Sequence, residues 1–96
     1  MITAGRIDTG VIQIMSGTDP VFRWDSYGIS AYDAFWNTVN GISTISGINT
    51  KKFVRFDKFG IYGVNNAPGV DGASWHPKDG SDVLNKASYY LTWDGL

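Results

Sequence analysis

Hydrophobic and polar positions alternate with a period of two along Val21-Phe22-Arg23-Trp24-Asp25. The same alternation returns at Phe53-Val54-Arg55-Phe56-Asp57. A period of two is the signature of a strand with one face apolar, so Phe22 and Trp24 are expected on one side and Arg23 on the other. Val54 and Phe56 should repeat the arrangement around Arg55. The match extends through the following residues: Val21 to Ile29 aligns without gaps on Phe53 to Ile61, 32 positions later. Arg, Asp, Gly and Ile are identical, and aromatic residues face one another at two further positions. A fixed-offset repeat of this kind marks a recurring supersecondary unit.

Each copy reads as strand, tight turn, strand. Asp25 and Asp57 can accept hydrogen bonds from the turn backbone. Gly28 and Gly60 can take the positive φ that closes a type I turn with a bulge. The hairpin repeats are placed near residues 21–32 and 53–64. A third begins near 91–96, where Leu91-Thr92-Trp93-Asp94-Gly95-Leu96 again runs into Trp-Asp and stops. Phe22, Trp24, Phe56 and Trp93 are therefore expected to be packing residues of the repeat.

Elsewhere the pattern is less regular. Residues 7–15 form a strand candidate rich in β-branched side chains, with Gly10 as a bend. A turn is expected at Ser16-Gly17-Thr18-Asp19-Pro20. Residues 31–37 are read as a brief helical turn. Val39-Asn40-Gly41-Ile42 and Ile45-Ser46-Gly47-Ile48 are read as turns between short extended pieces. Residues 67–81, rich in Pro and Gly, are expected to be a long surface loop. Ser81 then offers an N-cap for about two turns of helix through Ala87. The fold expected is all-β: hairpin units packed through the faces of Phe22, Trp24, Val54 and Phe56, with long loops and at most one or two short helical turns. Residues 1–96 are read as one small module, an excerpt of a longer repetitive protein.

These residues resemble a known group. Phe22-Arg23-Trp24-Asp25-Ser26-Tyr27-Gly28-Ile29-Ser30-Ala31-Tyr32 and Lys52-Phe53-Val54-Arg55-Phe56-Asp57-Lys58-Phe59-Gly60-Ile61-Tyr62-Gly63 are similar to the repeat region of minor structural proteins of tailed phages and prophages of Gram-positive bacteria. Leu91 to Leu96 matches the same pattern, and Ala4 to Ile12 is similar to the short repeats that precede such regions. The resemblance implies a virion protein made in the bacterial cytoplasm, part of a tail fibre, tail tip or baseplate. It also implies partners among other tail subunits, a trimer of like chains and a role in host attachment. The small size and modest net charge would equally permit a monomer. The matching motifs are structural, so no active site comes with the resemblance.

Composition narrows the field further. Hydrophobic residues make up 43% of the chain and aromatic residues 15%, too apolar for disorder. A chain of 96 residues buries only roughly two-thirds of its unfolded surface, so some aromatics are expected to be covered by a neighbouring domain or an identical chain. Eight Lys and Arg against nine Asp and Glu give a net charge of −1, without the basic footprint of a nucleic-acid partner. No stretch approaches the roughly 20 apolar residues of a membrane span, and no signal peptide is read. The chain has no cysteine, hence neither disulfide nor thiolate metal site.

The residues that carry chemistry are few. His76 is the single histidine and is read as a loop residue. Asp71-Gly72 and Asp79-Gly80-Ser81-Asp82 lack the spaced oxygen ligands of a calcium loop and are read as turns. Asp25 and Asp57 recur at one repeat position, which points to turn geometry rather than a glycosidase-like carboxylate pair. No catalytic, metal or cofactor site is expected, and the chain is read as non-enzymatic. The alternative function is a carbohydrate-binding module for host cell-wall glycan, with Trp75, Tyr62, Tyr32 and Trp36 as its aromatic contacts.

Overall fold

A computed structural model of the chain describes residues 10–92. These residues form one antiparallel sheet of six strands in sequence order: β1 (Val11–Ser16), β2 (Asp19–Asp25), β3 (Gly28–Val39), β4 (Ile42–Asp57), β5 (Gly60–Asn65) and β6 (Tyr89–Thr92). A single helix, α1 (Gly80–Lys86), interrupts the strands. The fold is mainly β, as the alternation of apolar and polar positions predicts. The two repeated units are the β2–β3 and β4–β5 hairpins. They lie side by side, because β3 pairs with β4 through Ile29↔Phe56 and Ala31↔Val54.

The two turns repeat the same hydrogen bonds. Asp25 Oδ1 accepts from Tyr27 N at 2.9 Å, and Asp57 Oδ1 accepts from Phe59 N at 2.8 Å. Gly28 and Gly60 have φ of 126° and 132°. Each is also pressed against the next strand: a Cβ on Gly28 would lie 2.5 Å from Phe56 O, and one on Gly60 would meet Leu91 O. Both the positive φ and the close approach require glycine.

Three expectations are corrected. Residues 31–37 are not helical but continue β3. Ile45-Ser46-Gly47-Ile48 is not a turn but lies inside β4. The two stretches pair with each other down to a tight turn at Asn40 (φ 52°) and Gly41 (φ 78°), so cross-strand pairing overrides the local preference of Ala31 and Ala34. The helix is capped by Asp79, whose carboxylate accepts from Asp82 N at 2.9 Å, and not by Ser81. Of the strand expected over residues 7–15, the described part begins at Val11, and Gly10 forms a bend.

Reading the register across the sheet separates two faces. On one, Ile12, Trp24, Ile29, Phe56, Ile61 and Leu91 form a row crossing all six strands. Beside it runs a second row of Ile14, Phe22, Ala31, Val54, Gly63 and Tyr89. On the opposite face the intervening row is Gln13, Arg23, Ser30, Arg55, Tyr62 and Tyr90. The core lies on this second, more polar face. Tyr32, Phe53, Tyr62 and Val64 of the sheet are covered by Val70 of the loop and Val83 of α1. The long loop is therefore not merely a surface excursion.

The face of the two apolar rows has no cover among the described residues. Trp24 and Phe56 are each 52% exposed and Phe22 is 44% exposed. Their expected role as packing residues of the chain's own core is thus corrected, and Trp93 lies outside the described residues. The molecule is a slab 22 Å thick in its shortest dimension, with a radius of gyration of 15.2 Å. A compact domain of this length would have about 12 Å.

Candidate functional site

The covered face is organised around Arg55. The loop reaches it because β4 bulges opposite Tyr32 and Asp33, where the pairing jumps from Phe53 to Asn49. Two backbone bonds anchor the chain that follows β5 to this stretch of β4: Gly72 N donates to Thr50 O at 2.7 Å, and Asn66 N donates to Lys51 O at 2.8 Å as the β4–β5 ladder continues. Gly72 then sits so close to the sheet that a Cβ there would lie 2.6 Å from a Phe53 ring carbon. This approach carries the carbonyls of Gly72 and Trp75 over the sheet. Arg55, only 2% exposed, donates from Nη2 to Gly72 O at 2.8 Å, from Nη1 to Trp75 O at 2.9 Å and from Nε to Ser30 Oγ at 2.8 Å. Its guanidinium carbon lies 4.8 Å from the Phe53 ring centroid and 5.9 Å from that of Trp75. Charge-assisted bonds to carbonyls and a cation–π contact are what permit a buried guanidinium.

Beyond Arg55 the loop passes over both turn tips. There a basin of about 380 Å³ is lined by Tyr27, Asp57, Lys58, His76 and Lys78, among others. Tyr27 and His76 stack with centroids 3.6 Å apart and planes 9° from parallel. His76 Nδ1 is buried and has no hydrogen-bond partner. Burial lowers the His76 pKa, and the charge of Arg55 lowers it further, so the ring is neutral at pH 7. At the basin wall Tyr62 donates to Asp57 Oδ2 at 2.5 Å. Burial, and secondly this bond, push the Tyr62 phenol well above the ordinary tyrosine range. Arg23 Nε donates to Asp25 Oδ2 at 2.8 Å. Both turn carboxylates are thus engaged by backbone and side-chain donors, as structural residues are.

The four aromatics expected to contact glycan are not brought together on the surface. Tyr62 is 1% and Tyr32 is 7% exposed, both in the core, which corrects their expected role. Trp75 packs against the same core, edge-on to Tyr62 at 6.4 Å. Trp36 alone is freely exposed, on the β3–β4 hairpin. His76 lies in the loop where it was placed. Asp71 closes a turn by accepting from Ala73 N at 3.0 Å, and this bond, first among several causes, lowers its pKa. Among the described residues no three His, Asp or Glu side chains gather as metal ligands would, and no helix is long and apolar enough to cross a membrane.

Sequence reasoning missed the burial of Arg55 and the Tyr27–His76 stack. Within the repeat Arg23 and Arg55 are indistinguishable. The available signal lay outside it, in Val70 and Trp75, two large apolar residues in a segment otherwise composed as a loop. No protein-family model, curated protein or solved structure matches this chain.

Proposed function

We propose that the chain is a non-enzymatic structural module of a phage or prophage tail, from a fibre, tail tip or baseplate, contributing to particle architecture and host attachment. The observation that carries this reading is the way the repeat is used. Two copies of one hairpin pair edge to edge in a single sheet with the same turn bonds, and the sheet's most apolar face stays exposed among the described residues, a surface suited to other subunits. Arg23, Arg55, Asp25 and Asp57, the charged residues shared by the two copies of the repeat, are engaged in holding the fold, which supports a mechanical rather than a catalytic role. The repeat's resemblance to minor structural proteins of phage tails supplies the setting: a virion protein whose partners are tail subunits and like chains.

Immunogold labelling tests this reading, with an antibody raised against the chain and particles induced from the bacterium that encodes it. Gold on the tail is the expected result. Intact particles without label, and without the chain by mass spectrometry, would contradict it.

A second reading, glycan binding, is favoured by the basin at the turn tips. There a stacked Tyr27–His76 ledge stands beside Lys58, Lys78 and Asp57, the mixture of ring face and polar groups that a sugar uses. Titration with cell-wall polysaccharide fragments, followed by the NMR resonances of Tyr27 and His76, tests it. Saturable shifts abolished by Tyr27→Ala would support the reading, and unmoved resonances would remove it.

A further inference from the structure

The two apolar rows of the open face are the largest unexplained feature of the molecule. Domains are built from packed layers, and a sheet with twelve successive apolar or glycine positions across six strands has the face of a sandwich interior. We propose that this face pairs with the same face of a second copy, forming a two-fold β-sandwich dimer whose core is the Trp24 row and the Phe22 row of both chains. The proposal rests on the sheet alone and stands whether or not the protein belongs to a tail.

Three observations select a second copy as the occupant. The first is area. Nine large side chains in the two rows are 36% to 63% exposed. At roughly 150–250 Å² for a large side chain, they present on the order of 800 Å², the share each partner gives to a standard stable interface. The second is charge. No position of either row is ionisable except the Tyr89 phenol, and Lys52 and Asp33, which follow the second row along β4 and β3, pair with each other at 3.7 Å. A charged partner would find nothing to complement, whereas an identical neutral face is complementary to this one.

The third is shape. The first row carries Trp24 and Phe56, while the second carries Ala31 and Val54 at its centre. A two-fold axis lying between the copies and running across the strands sets the large row of one chain over the smaller row of the other. That gives the interdigitation that sheets about 10 Å apart require.

Sedimentation equilibrium over a dilution series tests the pairing on the full 96-residue chain, with Trp24→Glu and Trp36→Glu beside it. The expected result is twice the chain mass of 10.5 kDa. Trp24→Glu should weaken association on the order of a hundredfold or more, as loss of a central aromatic anchor does. Trp36→Glu, at a residue 61% exposed but outside the two rows, should leave the dimer intact. Far-UV circular dichroism checks that both variants keep their strands; Trp24 is half exposed, so its replacement does not open the chain's own core. A monomer at every concentration would overturn the proposal. So would a trimer, a Trp24→Glu variant that still dimerises, or equal dissociation by both variants.

Discussion

Arg23 and Arg55 occupy the same position of the repeated unit, between apolar neighbours and two residues before the same turn Asp, yet the fold uses them differently. Arg23 lies on β2 with its side chain 34% exposed and pairs with Asp25 on its own strand. Arg55 lies on β4, beneath the loop, and binds Ser30, Gly72 and Trp75. The difference comes from what covers the sheet. The loop and α1 lie over β4 and β5, where Val70 and Val83 close the core. The shared local pattern thus sets the hairpin, and the non-repeated segment decides which arginine becomes part of the interior.

The sharpest way to break this comparison is to remove each arginine in turn. Arg55→Met takes the charged donor from the Ser30 hydroxyl and the Trp75 carbonyl and leaves Gly72 O with only the Tyr32 hydroxyl at 3.2 Å, and should cost about 3 kcal/mol or more in chemical denaturation. Arg23→Met removes a partly exposed pair and should cost about 1 kcal/mol or less. Equal losses would mean that the loop does not seal Arg55.

The turn half of the motif should behave alike in both units. Gly28→Ala and Gly60→Ala each place a methyl group against the next strand at a φ that L-residues avoid, and each should cost about 2 kcal/mol or more. A large difference between them would show that the two hairpins are not equivalent turns.

A smaller effect concerns pH. The folded state holds His76 neutral below its ordinary value of 6.5, so around and below that pH the unfolded chain binds more protons than the folded one. Stability therefore falls as pH drops through 6.5 toward the lowered folded pKa, and is fully present above 6.5. The melting temperature measured between pH 7.5 and 5, values on either side of the ordinary histidine range, should decline in the native chain. His76→Phe, which keeps a ring to stack on Tyr27, should remove that part of the slope.

Much of the sheet was legible because the repeat couples three independent signals: alternation, an Asp at the turn entry and a Gly at its exit. The β3–β4 extension was not. Ala31-Tyr32-Asp33-Ala34-Phe35-Trp36 does not alternate, and its extended form is imposed by pairing with residues 45–54 across two bulges. The loop's role was hidden for a related reason, since Gly72 and Asp71 read as turn formers and only the bulge at Thr50 gives them a place to dock. The aromatic residues were assigned to the wrong sides. Trp24 and Phe56 have the pattern of core residues and stand on the open face, whereas Tyr62 and Tyr32 follow a polar row inward because the loop covers that row. Periodicity tells which residues share a face, and the covering segment decides which face is inside.

The central claim is that one face of this sheet is sealed within the chain and the other is left for a partner. Because the chain has no cysteine, single cysteines can report on each face. Val64→Cys sits at a position 2% exposed under the loop, and Val54→Cys at one 40% exposed on the apolar face, two strands' neighbours in the same hairpin. At high dilution the cysteine at 54 should react with a thiol reagent nearly as fast as in the unfolded chain, while that at 64 should be slower by orders of magnitude. Raising the protein concentration should protect position 54 and leave position 64 unchanged. Protection of position 54 at every dilution, or rapid labelling of position 64, would contradict the account.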